Sequence, residues 1–187
     1  MIYHIFTDGS AVNNKKKQGA GTGSYYYVIL NHKWNIVHEF GEFRENTTNS
    51  RTEMEAPIRA LEFLKEIEDS ELAEINIYTD CQFVVNSINR GWLKSWQRED
   101  TLKGRINEDL WREMIPLINH RIRFHHVKGH QKDNTNRYVK WNNHCDSHCT
   151  ELRMSGLSKI LNNYYNGSNN DFIQKHKEQE TISDSPF

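Results

Sequence analysis

The sequence predicts an α/β domain whose mixed sheet combines an antiparallel hairpin with parallel strands and is flanked by helices. Three features predict it. Residues Ile2 to Thr7 are mostly β-branched or aromatic and stop at Asp8-Gly9-Ser10, as a strand entering a turn does. A helical apolar repeat follows over about 50–69, with Met54, Ile58, Leu61 and Leu64 on one face. Ile75-Asn76-Ile77-Tyr78-Thr79 then reads as another strand, and it too halts at an aspartate, Asp80. Strand, helix and strand in that order form a crossover, so these two strands are expected to run parallel.

The remaining elements follow in chain order. Residues 13–19 form a polar loop, and Gly21–Leu30 and Ile36–Phe43 are strands joined by a turn at 31–35. Thr47-Thr48-Asn49-Ser50 supplies N-cap candidates for the long helix. Pro57 inside that helix removes one donor and should bend it slightly. Val84, Val85 and Ile88 suit a short helix closed by Gly91, and Leu110, Trp111, Met114, Ile115 and Leu117 mark another. Arg121 to Val127 is a third parallel-strand candidate, and Asn142 to Met154 a last short helix. Beyond it the chain becomes rich in Asn, Ser and Gly. The reading is a domain over 1–154 and a polar extension over 155–187, weakly structured or partly docked.

The 187 residues suffice for one domain with a substantial core. A net charge of -1 argues against a purely electrostatic nucleic-acid binder but allows local basic patches. Met1 to Asp8 lacks the charged and apolar regions of a signal peptide, and no apolar run is long enough to span a membrane. Cys81, Cys145 and Cys149 are too few for a disulfide framework. A monomeric cytoplasmic protein without a membrane partner is expected.

The chemistry lies in the acids. Asp8 and Asp80 end two strands that should be parallel, and parallel strands present their carboxyl ends at one crevice. Carboxylates gathered there repel each other unless a divalent cation joins them, and all-oxygen ligation suits Mg²⁺ or Mn²⁺ better than zinc. Glu53 lies near the start of the long helix, which must pack over this sheet. Asp146 is expected to open the final helix. Four carboxylates from four elements can converge, enough to bridge two ions that assist phosphodiester hydrolysis.

At this point the sequence resembles ribonuclease H of type 1 over about residues 1–154. The matching segments are Phe6-Thr7-Asp8-Gly9-Ser10, Thr47 to Met54, Tyr78 to Val84, Asp109-Leu110-Trp111, Val127-Lys128-Gly129-His130 and Asn142 to Asp146. The resemblance implies a five-stranded mixed sheet of the ribonuclease H-like fold, two Mg²⁺ ions, and endonucleolytic hydrolysis of the RNA strand of RNA–DNA hybrids. It assigns metal binding to Asp8, Glu53, Asp80 and Asp146, and a mobile catalytic histidine to His130. It also places Asn14, Asn49 and Gln82 where 2′-hydroxyls are sensed, and Thr48 where a DNA-strand phosphate is held. Ser50 stands where the family carries another amide.

Two further groups are candidate hybrid contacts. Trp92 and Trp96 lie in a segment that resembles an aromatic and basic handle, although packing accounts for them equally well. Lys15 and Lys16 are an alternative contact to phosphate. The interval from His130 to Asp146 is longer than the family usually has. The extra stretch, Lys132 to Trp141, reads first as a tolerated surface insertion. His144-Cys145 and His148-Cys149 invite a zinc reading, but a single such cluster falls short of a site. A related transposase, integrase or exonuclease, or a binding module that has lost catalysis, are the competing functions.

Overall fold

The computed structural model describes residues 1–12, 21–67, 72–133 and 135–158. Five strands form one sheet: β1 (Ile2–Val12), β2 (Gly21–Asn31), β3 (Ile36–Thr47), β4 (Glu74–Thr79) and β5 (Ile122–His126), in the spatial order β3-β2-β1-β4-β5. β1, β2 and β3 are antiparallel neighbours, whereas β4 pairs parallel to β1 and β5 parallel to β4. The expected mixed sheet is therefore present. β3 is longer than expected, continuing beyond Phe43 to Thr47, and it delivers the chain directly to the N-cap of the next helix.

The helices are α1 (Asn49–Lys65), α2 (Gln82–Asn89), α3 (Trp92–Arg98), α4 (Glu108–Met114) and α5, helical from 137. The chain divides into a unit Met1–Arg153 and a second unit Met154–Phe187, of which 154–158 are described and helical. Among the N-cap candidates Thr48 takes the position, its hydroxyl accepting from the Arg51 N–H. Helix α1 runs through Pro57, which leaves the Glu53 carbonyl without its usual donor one turn on.

Side chains alternate across the sheet. Tyr3 and Ile5 of β1, Tyr25, Tyr27 and Ile29 of β2, and Ile75 and Ile77 of β4 face the core under α1 to α4. Phe6, Tyr26, Val28, Leu30 and Tyr78 face the other way, with Cys145 and Cys149 of α5. Because β2 is covered on both faces, Tyr25 to Leu30 reads as an unbroken apolar run, with no alternation of polar residues. Truncating Ile58 or Leu64, both buried under the sheet, to alanine is expected to cost about 2–5 kcal/mol in a denaturant melt.

Two boundaries differ from expectation. β1 does not turn at Asp8-Gly9-Ser10 but continues to Val12, because β2 stays paired with it through Val12↔Thr22. Its parallel partner β4 is lost after Phe6↔Tyr78, so Asp8 lies in a strand that is open on one side. The final helix starts at 137, not 142, because Asn136 caps it: its side-chain oxygen accepts from the Tyr138 N–H. Asp146 consequently lies in the middle of α5 and does not open it. The segment Lys132 to Trp141 is no loose surface insertion either, for Val139 is buried and Tyr138 packs 5.1 Å from Tyr78.

Candidate active site

β1, α1 and the end of β4 bring three of the predicted acids together. Ligand oxygens of Asp8, Glu53 and Asp80 all lie within 4.8 Å of one another. Asp8 and Glu53 are buried, and Glu53 Oε2 is buried with no hydrogen-bond partner. Burial, with Asp80 and Asp146 nearby, pushes the Asp8 carboxyl up to about 8. Glu53 is raised well above the carboxylate range by burial, then by Asp8 and Asp80. Burial also raises Asp80, against the favourable charge of His130. A set of carboxyls this costly to ionise, one with an orphaned oxygen, fits a hard divalent cation.

The backbone makes room for this meeting. A Cβ on Gly9 would fall on the backbone of Thr52 and Glu53, so only glycine lets α1 approach β1 this closely. Asn49 reinforces the approach, accepting from the Ala11 N–H at 3.1 Å and donating to Glu53 Oε1 at 3.4 Å. A Cβ on Gly129 would likewise fall on Asp80 Oδ2. The next residue, His130, adopts the left-handed conformation (φ 53°).

Asp146 stands apart from this group. It is half-buried on α5, close enough to raise both Asp8 and Asp80, and its Oδ2 lies 3.5 Å from His130 Nδ1. The structure therefore joins three acids closely and sets Asp146 beside them in a pair with a largely exposed histidine.

The other candidates fall in different places. Thr48 and Asn49 begin α1, and Gln82 is the exposed first residue of α2. Trp96 packs edge-on to Trp111 at 5.7 Å beneath the Arg105 guanidinium, so it is a packing residue. Trp92 is more exposed, with Arg90 over its ring. Asn14, Lys15 and Lys16 lie outside the described residues. Cys145 and Cys149 point into the core, while His144 pairs with Glu39 and His148 hydrogen-bonds the His144 carbonyl. Their donor atoms do not converge on a zinc position.

Several supporting residues escaped the sequence reading. The Arg51 guanidinium makes a two-pronged contact with Asp109, at 3.0 and 2.6 Å, and so ties α1 to α4 just before Glu53. Asn107 adds a hydrogen bond to Ser50. Both residues of the ion pair are partly exposed, so Arg51→Ala should cost only about 1 kcal/mol in a urea melt at neutral pH. Arg51 holds the Asp109 carboxyl below its usual range. This stabilisation is therefore present above the unfolded carboxylate pKa and fades as pH falls through the lower folded one. Beneath the site, Ser24 and Cys149 hydrogen-bond each other's carbonyls and join α5 to β2. Arg153 reaches Ser10. No local sequence pattern marks such contacts, because the partners lie far apart in the chain.

Comparison with known proteins agrees with this arrangement. The RNase H family pattern matches residues 2–152. A ribonuclease H of Caldanaerobacter subterraneus subsp. tengcongensis is 36% identical over 155 residues, covering 80% of this chain and 90% of that protein. In solved structures, the PFV RNase H domain superposes with a TM-score of 0.67 at 20% identity, over 82% of this chain and 94% of that one. The prototype foamy virus protease-reverse transcriptase gives 0.69 at 20% identity, over 81% of this chain but only 20% of the viral one. At such identity these two structures bear on the fold alone. By the family match and the level of identity to its bacterial relative, this chain belongs to the ribonuclease H family.

Proposed function

We propose that the chain cuts the RNA strand of RNA–DNA hybrids internally by metal-dependent hydrolysis, with Asp8, Glu53, Asp80 and Asp146 as metal ligands. The carrying observation is the meeting of Asp8, Glu53 and Asp80 within 4.8 Å, with a buried unpartnered Glu53 oxygen among them. Mg²⁺ or Mn²⁺, as one ion or a pair, would supply Lewis acidity that activates water and offsets charge on the phosphate oxygens.

The chain's own groups do the rest. Asp8 and Asp80, on a strand and at a strand end, hold a rigid half of the site, and Glu53 closes it from α1. Asp146 anchors one nitrogen of His130, which leaves the other to carry a proton at the departing oxygen. Asn14, Asn49 and Gln82 read 2′-hydroxyls on one strand, and Thr48 holds a phosphate of the other. Trp92 contacts the hybrid, a role its exposed ring supports. The catalytic part is assigned to residues 1–154 and acts as a monomer. Among the described residues no helix is long and apolar enough to cross a membrane.

A labelled-substrate panel tests this reading. With Mg²⁺ or Mn²⁺ the protein should cut hybrid RNA internally and leave double-stranded RNA and double-stranded DNA intact, and chelator should stop it. Cleavage of duplex DNA, or of hybrid in chelator, overturns it.

A further inference from the structure

A second site lies behind the His130 loop, on the sheet face that carries α5. There a cavity of about 400 Å³ is lined by Tyr78, His125, Lys128, Gln131, Asn136 and Tyr138, among others. That volume is in the range of small-ligand pockets, about 300–1,000 Å³. Tyr78, His125 and Tyr138 contribute rings to its lining, and Phe6 is buried behind Tyr78. Phe6 stacks on Tyr78 at 4.7 Å and 15°, and Tyr78 stacks on His125 at 4.9 Å and 20°. Tyr138 leans over Tyr78 at 5.1 Å and remains part-exposed.

The segment that runs past the pocket is basic. Lys128, Lys132, Arg137 and Lys140 are all exposed, and Asp133 is the one acid between 127 and 141 in a chain of net charge -1. Of these cations, Lys128 lines the pocket itself, while the Arg137 guanidinium lies over the Trp34 ring and Lys140 beside Trp141. Gln131 and Asn136 add amides to the pocket lining.

We propose that this pocket binds a nucleobase together with its phosphate, either as a free mononucleotide or as an unpaired end of a nucleic-acid strand. The part-exposed Tyr138 ring beside Lys128 and two amides suits that ligand: a base stacks on Tyr138 while its phosphate meets Lys128. The pocket is separate from the acid cluster but shares the 127–131 loop with it. The Gln131 side chain donates to the Lys128 carbonyl, and the Gln131 carbonyl accepts from Asn143 on α5. Occupancy would therefore bear on the loop that presents His130 to Asp146.

The test is a nuclear magnetic resonance titration of the full chain in chelator, so that metal at the acid cluster cannot draw the phosphate. The probes are adenosine 5′-monophosphate, a six-residue oligodeoxyadenylate, and inorganic phosphate. Amides of residues 125–139 should shift with the nucleotide or the oligonucleotide, and base protons should show contacts to the Tyr138 ring. Shifts with both identify a free nucleotide as sufficient, and shifts with the oligonucleotide alone identify a strand end. Tyr138→Ala should weaken binding about tenfold, as loss of one base–ring stack does, while Tyr138→Phe should stay within about twofold. The base–Tyr138 contacts in the unaltered protein decide the matter if Tyr138→Ala does not fold. The proposal is overturned by equal shifts with inorganic phosphate, by shifts with no base–ring contact, or by no shifts at all.

Discussion

Replacing Asp8 with Asn should lower hybrid cleavage by about a thousandfold, through loss of a metal ligand, while making the metal-free protein more stable. The two effects share one cause. Asp8, Glu53 and Asp80 are held within 4.8 Å of one another, and burial with mutual repulsion raises all three carboxyls. A carboxyl whose folded pKa is raised binds more protons in the native than in the unfolded state. Metal-free stability is therefore greatest below the usual carboxylate range and falls as pH rises through about 8, the value for Asp8. Asn keeps the shape, removes the charge and should flatten that dependence. Thermal melts in chelator between pH 5 and pH 9 check this, with a gain on the order of 1–3 kcal/mol for Asp8→Asn at the alkaline end. Adding Mg²⁺ should stabilise the unaltered protein much more than the variant. If the two proteins melt alike in chelator across that pH range, the repulsion argued here is absent.

Gly9→Ala should produce the second large effect, and by a different route. The added methyl would fall on the backbone of Thr52 and Glu53, not on a side chain that can rotate away. Relief requires α1 to retreat from β1. That loosens the Ala11–Asn49 hydrogen bond and withdraws Glu53 from Asp8 and Asp80. A loss of about 2–4 kcal/mol is expected, with cleavage reduced at least as much as for a removed ligand. Gly91→Ala is the useful control: its φ is +74°, but nothing lies within 4 Å of the added atom. It should cost about 1 kcal/mol of backbone strain and leave cleavage unchanged. Equal behaviour of the two variants would show that the close approach at Gly9 does not matter.

The positions of Asp8, Glu53 and Asp80 were legible in the sequence because each rests on local pattern. Asp8 and Asp80 follow strand-forming runs, and Glu53 stands in the first turns of a capped helix, just before its apolar repeat. The reason for Gly9 was not legible. In sequence Asp-Gly-Ser reads as a turn, and only the arrival of α1, more than 40 residues later, shows that the glycine serves packing. The start of α5 was missed because Lys132 to Trp141 is polar and basic and lacks an apolar repeat. Val139 is the one buried residue among those described in that stretch, and the cap at Asn136 sets the boundary. That shift moved Asp146 from a helix start to mid-helix, where it pairs with His130 beside the acid cluster and not inside it. Trp92 and Trp96 looked equivalent at a spacing of four. The tertiary partner Trp111 separates them, since Trp96 packs edge-on against it at the margin of the core.

The central claim is that Asp8, Glu53 and Asp80 form one divalent-cation site. Anomalous scattering from crystals of the protein soaked in Mn²⁺ tests it most directly. The account predicts a strong peak touching oxygens of Asp8, Glu53 and Asp80, lost in Asp80→Asn, with any second peak on the Asp146 side. No peak among these carboxylates, or a peak only at the His144 and His148 rings, would contradict it.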